Sequence, residues 1–516
     1  MGYTACWFTK STSVSVMYLS SLFCTALAVI SLAGSTVSAA ALSTRDKSGT
    51  ISFVQYKPEL IFEYSTPTPD AQNWIGIYYA SYGGPEKEQY VNDAVDWQWA
   101  EKSKGKVYMA TDKLQPGEYT AYFMAKNGYK WLAEPLDFVV PGNGPLKFLV
   151  PQFTTHNGRV GDYFQAMIDG LLANPQNQTT HFVKVSGDDW VQVTSDGTLF
   201  GTPKAGGLSK VTIEAHVKNG SKAVLQVNIP VHIVGADLVE QLSVVSLNLW
   251  YGGSKVKDFH RKQVQYIANS GADVVALQET LDNSGIRLAN ALGWYVWQGK
   301  TAAIIARYPI VQVYSATGVS GAVRLELDGN KREVIVWNAH LSHKPYGPYD
   351  FCFDKMAMDK VMRRENESGR VSQIREIIDK MRYHLNNAHR VPVVLAGDFN
   401  APSHLDWTQE TSSKHCNVGA FNWPTSVEPI KAGLRDSFRE IYPDPVKVPS
   451  NTWSPVQETN AGRPEPRDRI DFIYQKGLRT LHSDSQVWGS HNPEPNQADN
   501  EWPSDHAAVR TIFTFQ

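Results

Sequence analysis

The pattern of apolar residues changes near residue 242 of this 516-residue chain, and that change constrains the fold most strongly. Before it, short apolar runs such as residues 74–79 and 119–123 are separated by turn residues, which is typical of all-β domains. After it, strand-like runs at residues 243–247 and 273–277 alternate with helix-like runs such as residues 258–270. Such alternation indicates helices that cover a sheet. The chain is therefore predicted to be multidomain, with two all-β sandwich domains followed by a layered α/β domain.

Breaks in the pattern set the predicted boundaries. The first β-sandwich covers residues 45–140, a Pro- and Gly-rich linker follows at residues 141–145, and the second sandwich covers residues 146–236. In the second domain, residues 196–203 resemble a signature of secreted immunoglobulin-like domains of the cadherin-like type. Neither β-domain groups acids and histidines as an active site would. Both are therefore predicted to be binding or spacing modules, with a cell-surface or polymeric partner.

Residues 1–39 have the properties of a secretory signal peptide, with one basic residue, an apolar middle and a small-residue end. An uncleaved membrane anchor is the alternative, because the apolar stretch is almost long enough to span a bilayer. We expect a secreted, extracellular protein with no stable membrane span after signal cleavage. The formal net charge of −2 excludes nucleic-acid binding by bulk charge alone, although a local basic groove is compatible with it.

Secretion bears on two further features. Three Asn-x-Ser/Thr triplets, at Asn177, Asn219 and Asn366, are expected glycosylation sites. Two cysteines remain after signal cleavage, Cys352 and Cys416, and an oxidising compartment allows them to form a disulfide bond. Two free buried thiols are an equal alternative, because the sequence does not give the distance between them.

Polar residues stand at the end of nearly every strand-like run after residue 242. The set comprises Asn248, Glu279, His340, Asp398, Asn400, Asp471, Asp505 and His506. Most members alone have an ordinary explanation, such as a solvated strand end, a turn or a core histidine. Asp471 is harder to explain in this way, because a carboxylate between Ile470 and Phe472 needs a partner when it is buried. Since active sites of layered α/β folds lie at strand ends, the set is predicted to converge.

These residue types are the ones that cleavage of a phosphate ester requires. Glu279 and Asp505 offer oxygen ligands for Mg²⁺, with Mn²⁺ as the second candidate. His506 is predicted to be the base that deprotonates water, and Asp471 to hold its ring in the required tautomer.

The remaining polar residues have predicted roles at the phosphate itself. Asn248, Asn400 and His340 are predicted to donate hydrogen bonds to its oxygens. Asp398 is predicted to position the nucleophile or to assist proton transfer to the leaving group. Metal-assisted attack by water, in line with the leaving group, is the reaction that this residue set predicts. The sequence contains no Cys/His cluster with zinc-finger spacing and no Gly-rich phosphate loop.

As a set, these motifs make residues 242–516 resemble the endonuclease/exonuclease/phosphatase superfamily of DNase I-like, metal-dependent phosphoesterases. The matching motifs are Asn248, Gln278-Glu279, Asn338-Ala339-His340-Leu341, Gly397-Asp398-Phe399-Asn400, Ile470-Asp471-Phe472-Ile473 and Ser504-Asp505-His506. Ala306 stands where the family commonly has Ser, in the strand before its Pro-Ile turn. The resemblance implies a four-layered α/β sandwich, Mg²⁺ dependence and the residue roles given above.

The substrate is less constrained by the sequence. An insertion at residues 343–370 carries Lys355, Lys360, Arg363 and Arg364, which suits either a polyanion or a solvated helix of mixed charge. The loop at residues 460–469 carries Arg463 and Arg467, which are placed to flank a phosphate. Tryptophans 407, 423, 453, 488 and 502 either stack on bases or sugars or pack the domain.

Two kinds of alternative to the preferred function stay open. The preferred substrate is a nucleic acid or nucleotide phosphodiester, because such substrates are frequent in the superfamily. A phospholipid, inositol-phosphate or sphingomyelin phosphodiesterase of the same fold is one alternative. The other is a non-enzymatic secreted binding protein with a decayed phosphoesterase domain.

Overall fold

The computed structural model describes residues 48–516 except residues 56–58, 81–83, 86, 92, 112–113, 115–116, 141–143, 174–178 and 219. The predicted signal peptide, much of the predicted linker, Asn177 and Asn219 therefore lie outside the described residues. Within the described ranges, no helix is both long and apolar enough to cross a membrane.

Two small sheets form the first β-rich region. Its strands are β1 (Thr50–Gln55), β2 (Leu60–Ser65), β3 (Trp74–Tyr79), β4 (Asp96–Trp99), β5 (Lys104–Met109), β6 (Gly117–Met124) and β7 (Leu136–Val140). They pair in the orders β1-β2-β5 and β4-β3-β6-β7. Successive side chains of a strand point to opposite faces, so Ile75 and Ile77 enter a core with Phe62, whereas Trp74 and Tyr78 pack in a separate aromatic cluster.

The second β-rich region is built around one larger sheet. Its strands are β8 (Lys147–Phe148), β9 (Gln152–Thr154), β10 (Gly158–Arg159), β11 (Phe164–Met167), β12 (Leu172–Ala173), β13 (Thr180–Gly187), β14 (Gln192–Val193), β15 (Thr198–Gly201), β16 (Gly207–Val217) and β17 (Lys222–His232). The main order is β10-β17-β16-β13, and a smaller sheet has the order β11-β15-β14. Gly201 has a φ of 150°, and a Cβ there would lie 1.9 Å from the carbonyl oxygen of Trp190, so this position of the cadherin-like signature requires glycine.

The C-terminal region contains two six-stranded sheets. The strands are β18 (Gln241–Asn248), β19 (Val274–Gln278), β20 (Tyr295–Gln298), β21 (Ala302–Ala306), β22 (Ile310–Tyr314), β23 (Ser320–Glu326), β24 (Glu333–His340), β25 (Val393–Asp398), β26 (Arg435–Asp436), β27 (Thr459–Asn460), β28 (Arg463–Pro464), β29 (Asp471–Lys476), β30 (Leu478–Gln486) and β31 (Ala508–Phe515). The sheets have the orders β20-β21-β19-β18-β31-β30 and β22-β23-β24-β25-β29-β26, and β27 pairs separately with β28.

Helices pack on the outer faces of these sheets. The helices of this region are α1 (Phe259–Asn269), α2 (Ser284–Leu292), α3 (Gly347–Cys352), α4 (Met358–Glu367), α5 (Arg370–Asn386), α6 (Pro424–Lys431) and α7 (Ser437–Ile441). Val244 of β18 faces a core shared by the two sheets, whereas the next residue, Val245, faces a core with α1 and α2. Ile374 and Met381 of α5 pack against the second sheet. The layer order is therefore helices, sheet, sheet, helix, as the resemblance implied.

The second β-rich region is firmly joined to the C-terminal region. One apolar core contains residues of both, including Leu149 and Leu171 from the β-rich side and Val264 from α1. A largely buried ion pair of 2.8 Å between Arg159 and Asp328 adds to this contact. Because the shared core is continuous, we expect the two regions to move as one body.

The insertion at residues 343–370 folds into α3 and α4. A disulfide bond joins Cys352, the last residue of α3, to Cys416, and their Cα atoms are 5.2 Å apart. Of the two alternatives for these cysteines, the structure therefore has the bonded one.

Candidate active site

Four predicted residues lie at adjoining strand ends of the two sheets. Asn248 ends β18, His340 ends β24, Asp398 ends β25 and Asp471 begins β29. In the second sheet, His340 is in register with Asp398, which is in register with Asp471 on its other side. Gly397 has a φ of 147°, and a Cβ there would lie 2.0 Å from a backbone oxygen of β24, so glycine is required for this close approach. Sheet pairing therefore brings the histidine and both aspartates together.

Asp398 is the centre of the hydrogen bonds in this cluster. Its carboxylate accepts from the side-chain amide of Asn248 at 3.0 Å and from that of Asn400 at 3.2 Å. His340 Nε2 lies 3.8 Å from the same carboxylate. Burial, reinforced by the negative charge of Asp471, raises the pKa of Asp398 to about 6. The two amides that were predicted to bind phosphate thus contact Asp398 here, and their role at the phosphate stays a prediction.

His506 and Asp471 form a buried pair. Nδ1 of His506 lies 2.9 Å from Asp471 Oδ2, while Nε2 lies 3.9 Å from Asp398 and 4.0 Å from Asp505. Burial by itself lowers the pKa of His506, but the charges of Asp471, Asp398 and Asp505 together raise it well above its ordinary value. Asp471 thus fixes Nδ1 and leaves Nε2 beside the other carboxylates. The predicted base and its predicted orienting partner are in contact, and their roles stay predictions.

Several residues that support this pair were not among the predicted site residues. The Ser504 hydroxyl donates to the backbone oxygen of Asn248 at 2.6 Å and accepts from the His506 backbone N–H at 3.0 Å. The ring of Trp453 packs against the His506 ring at 4.9 Å. Ser504 adjoins a recognised motif and could have been found from it. Trp453 lies in an irregular loop, where the sequence gives no positional signal.

Gln278 and Asn338 form a second buried polar contact, which connects the two sheets beneath the site. The Gln278 amide donates to Asn338 Oδ1 at 2.8 Å, and the Asn338 amide donates to the backbone oxygens of Leu277 and Ala303, both at 2.7 Å. Both residues belong to motifs that carry the family resemblance, but the sequence did not predict a role for either of them. Their contacts fix the distance between β19 and β24, and therefore between Glu279 and His340, which follow or end those strands.

Glu279 and Asp505, the predicted metal ligands, have the properties of a cation site. Glu279 has a φ of 52°, and its Oε2 accepts from the backbone N–H of Tyr251 at 2.6 Å. Asp505 is buried, and its Oδ1 has no hydrogen-bond partner in the described part of the chain. Burial, partly offset by His506 and reinforced by Glu279, raises the pKa of Asp505 to about 8. A buried carboxylate oxygen without a donor, close to a second carboxylate, fits a divalent cation.

A second group of possible ligands overlaps the first. One oxygen each from Asp398 and Asp471 and one nitrogen of His506 lie within 4.8 Å of one another. Within this group, His506 Nδ1 and Asp471 Oδ2 already contact each other at 2.9 Å, so these two atoms are not available to a cation. Glu279 and Asp505 are therefore the better ligand pair.

The cluster opens into a cleft of about 990 Å³. Of the predicted site residues, Glu279, His340, Asp398, Asn400, Asp505 and His506 line the cleft, whereas Asn248 and Asp471 are buried and do not. We call His340, Asp398, Asp471, Asp505 and His506 the cleft floor.

A second group of side chains borders the same cleft. Tyr349 and Phe353, in and just after α3, stack at 5.0 Å, and the Tyr349 hydroxyl donates to Glu465 at 2.6 Å. Glu465 also accepts from the Trp453 indole at 2.7 Å, and the Arg463 guanidinium lies 3.9 Å from the Phe353 ring centroid. We call Tyr349, Phe353, Trp453, Arg463 and Glu465 the cleft rim. It joins the two segments that the sequence marked separately, the insertion and the loop at residues 460–469.

The other basic residues that the sequence singled out in these segments are paired within the protein or lie outside the cleft lining. Arg363 pairs with Asp359, and Arg364 pairs with Asp350, both at 2.7 Å. Arg467 donates to the backbone oxygen of Ser454. Exposed Lys355 and Lys360 are not among the residues that line the cleft.

The five tryptophans that the sequence singled out also differ in whether they line the cleft. Three of them, Trp407, Trp423 and Trp502, are fully buried and pack the domain. Trp453 lines the cleft, and Trp488 is partly exposed against Tyr266. Stacking on a substrate therefore concerns Trp453.

Asn366, the described member of the three glycosylation triplets, lies on α4. Its side chain is exposed, and its amide donates to the backbone oxygen of Met362 at 2.8 Å. Glycosylation at this site stays a prediction.

Comparison with known proteins gives three kinds of match. Residues 245–506 match the Endonuclease/Exonuclease/phosphatase family. An uncharacterized protein of Caenorhabditis elegans is 35% identical over 292 residues, which cover 53% of this chain and 91% of that protein. Among solved structures, TDP2 of D. rerio complexed with single strand DNA product is 17% identical, with a TM-score of 0.36 and coverage of 54% of this chain and 100% of that one. The human Nocturnin catalytic domain with bound sulfate anion is 16% identical, with a TM-score of 0.34 and coverage of 55% and 97%. Since the family match spans half of the sequence and includes every strand end described above, this chain belongs to the endonuclease/exonuclease/phosphatase family.

Proposed function

We propose that this protein is a secreted, divalent-metal-dependent phosphodiesterase that cleaves its substrate by in-line attack of water. The observation that carries the proposal is the convergence, in one cleft, of the His506–Asp471 pair with Asp398 and with the carboxylates of Glu279 and Asp505. Family membership supports a phosphoesterase of this kind.

Each residue of the cleft floor has a task in this proposal. Asp471 holds His506 Nδ1, so Nε2 is the atom that takes a proton from the attacking water. Asp398 lies within 3.9 Å of that nitrogen and orients the water or passes a proton to the leaving group. His340, which is partly exposed at the cleft, donates to a phosphoryl oxygen.

Glu279 and Asp505 would hold the cation, Mg²⁺ or Mn²⁺. When bound, a divalent cation neutralises phosphoryl oxygens and offsets the negative charge around His506. In its absence, Asp505 Oδ1 is buried without a hydrogen-bond donor in the described part of the chain, which is unfavourable for the charged carboxylate.

A phosphodiester in a nucleic acid or nucleotide is the preferred substrate. The aromatic and cationic residues of the cleft rim support this preference, because base stacking and phosphate contacts use those side chains. A phospholipid, inositol-phosphate or sphingomyelin head group is the alternative.

Secretion is part of the proposal, and the disulfide bond between Cys352 and Cys416 supports it, because such bonds persist in oxidising compartments.

We also propose that the first β-rich region binds an extracellular polymer. Trp97 and Trp99, on edge strand β4, are 45% and 39% exposed and lie 4.9 Å apart, and exposed aromatic clusters mark interaction surfaces. Retention on insoluble polysaccharide of the full chain, compared with W97A/W99A and with control Y383A, tests this part.

The activity is tested with a hydrolysis panel of DNA, RNA, sphingomyelin, phosphoinositides and simple phosphodiesters, with and without chelator. We expect hydrolysis that chelation abolishes and Mg²⁺ or Mn²⁺ restores. The substrate arm with the highest kcat/KM distinguishes the nucleic-acid proposal from the lipid alternative.

A metal titration tests the site independently of activity. A ligand that binds only the folded state raises its thermal stability, so Mg²⁺ or Mn²⁺ should raise the Tm of the native protein but not that of E279Q/D505N. If the protein is active but neither its Tm nor its hydrolysis rate changes when Mg²⁺ or Mn²⁺ is added, the metal assignment is wrong. No hydrolysis and no metal effect would instead favour a binding protein with a decayed site.

A further inference from the structure

Two cations of the cleft lie over aromatic rings. Arg463 lies 3.9 Å from the Phe353 centroid, and Lys255 Nζ lies 5.1 Å from the Tyr251 centroid. All four residues line the cleft that contains His506.

The charges of these two cations are not compensated by acids. Across the described ranges, no carboxylate lies within ion-pair distance of Arg463 or Lys255. Arg364, another cation that lines the cleft, differs because it is paired with Asp350 at 2.7 Å. A ring beneath a cation orients it but leaves its positive charge available to an anion.

Arg463 is also linked to the cleft floor through a continuous series of contacts. Phe353 stacks on Tyr349, whose hydroxyl donates to Glu465. Glu465 accepts from Trp453, and the ring of Trp453 packs against His506. Glu465 is 6% exposed, so these hydrogen bonds lie largely out of water and hold the rim in one geometry. Arg463 is therefore connected to His506 through Phe353, Tyr349, Glu465 and Trp453.

We infer that Arg463 and Lys255 bind phosphate groups of the substrate other than the one that reacts. This inference rests on the proposed phosphodiesterase function and narrows its substrate to phosphodiesters that carry at least one further phosphate. Arg463 is a specificity residue in this account, because it contacts a part of the substrate that does not change in the reaction. A guanidinium suits the task, since its planar donors match two oxygens of one phosphate.

The additional phosphate has two possible sources, a nucleotide chain or a phosphorylated inositol head group. Matched substrate pairs distinguish them. The nucleotide pair is thymidylyl-thymidine with and without a terminal phosphate, supplied at either end. The head-group pair is glycerophosphoinositol with and without a phosphate on the ring.

The test measures kcat and KM for each pair with full-length protein, R463Q and K255M. We expect the native protein to favour the phosphorylated member of one pair. In R463Q the ratio of kcat/KM between the two members should fall about ten- to a hundredfold, mainly through KM, because one charge-assisted contact is lost. R463K should recover part of the ratio. R363Q, which removes an exposed arginine of the insertion at residues 343–370 that does not line the cleft, is the control and should keep the native ratio.

Salt dependence gives a second readout on an oligothymidylate. The slope of log kcat/KM against log salt concentration should become shallower by about 0.7 for each phosphate contact removed. Equal losses on both members of every pair would overturn the inference, because they would indicate that Arg463 acts only through packing on Phe353. An unchanged ratio in both R463Q and K255M would overturn it as well, while leaving the phosphodiesterase proposal intact. Absence of hydrolysis of any diester by the native protein would instead remove the proposed function on which the inference rests.

Discussion

The floor and the rim of the cleft are held in place by different means. The floor residues His340, Asp398 and Asp471 stand in register on three neighbouring strands, so the hydrogen bonds that build the sheet also set their spacing. The rim stands on a short helix and a two-stranded hairpin, and one buried carboxylate, Glu465, joins them. The spacing of these floor residues can therefore change only if the sheet changes. The geometry of the rim can change through substitution of a few side chains.

This difference separates chemistry from specificity. A floor fixed by the sheets suits a reaction that every substrate undergoes, since reacting atoms need a geometry that does not vary. A rim that depends on an insertion suits recognition of the part of the substrate that differs among relatives, because loops tolerate change. Three substitutions are expected to act on one region and not on the other.

The largest effect is expected for H506N. The Asn amide can still donate to Asp471, which avoids leaving that buried carboxylate unpaired, but nothing replaces Nε2 as the proton acceptor. We expect kcat to fall by about 10²–10⁴-fold for every phosphodiester tested, with little change in KM. Exposed His491 provides the matched control H491N, which should keep the native rate. A folded H506N protein with a near-native kcat would remove His506 from the mechanism and the distinction between floor and rim with it.

An intermediate effect is expected for C352A/C416A. The disulfide bond closes a sequence separation of 64 residues at the end of α3, so its removal should lower the free energy of unfolding by about 2–4 kcal/mol. Because Phe353 follows Cys352 directly, loss of the bond should also loosen the rim. We expect KM to rise for substrates that use the rim while kcat for a simple diester stays close to native. Thermal unfolding and steady-state kinetics measure the two effects, and a fall in kcat on all substrates would show that rim and floor are coupled.

The contrast between a floor held by strands and a rim held by side-chain contacts also explains which parts of the site could be predicted from the sequence. Strand-like apolar runs followed by polar residues are visible in the sequence, and the pairing of those strands in the structure brings Asp398 and Asp471 together. Asp471 carried the strongest signal, since a charge between Ile470 and Phe472 requires a buried partner, and that partner is His506. The helix predicted over residues 258–270 is α1, which is one residue shorter at each end.

The rim could not be predicted because its contacts are long-range and lie outside regular elements. Tyr349 and Glu465 are 116 residues apart, and neither lies in a pattern of fixed period. The alternatives for Cys352 and Cys416 stayed open for the same reason, since a sequence separation of 64 residues says nothing about a Cα distance of 5.2 Å. The sequence therefore singled out Arg463 and Trp453 as candidate substrate-binding residues, but it did not show which residues they contact.

The smallest effect on catalysis is expected for a change in the support beneath the rim. Asp468 is buried and accepts from the Trp407 indole at 2.8 Å and from the Tyr346 hydroxyl, next to α3, at 3.2 Å. Burial outweighs these hydrogen bonds and raises the pKa of Asp468 to about 7. The folded state therefore holds a proton that the unfolded state has released above the ordinary pKa of about 4. The contribution of this carboxyl group to the free energy of unfolding is therefore largest at low pH and falls by about 1.4 kcal/mol per pH unit between about pH 4 and 7, with no further change above that range.

The substitution D468N removes this titration while keeping a neutral side chain of the same shape. We expect the Tm of D468N to fall less than that of the native protein between pH 5 and 7.5, so that the variant gains relative stability as the pH rises. D379N, which removes an exposed carboxylate on α5, controls for the loss of one negative charge. Since Asp468 lies beneath the rim and outside the floor, kcat on a simple diester should follow the same pH profile in D468N and in the native protein. Parallel Tm curves for the two proteins would show that Asp468 is ionised in the fold, and a shifted kcat profile would show that the support of the rim also tunes the base.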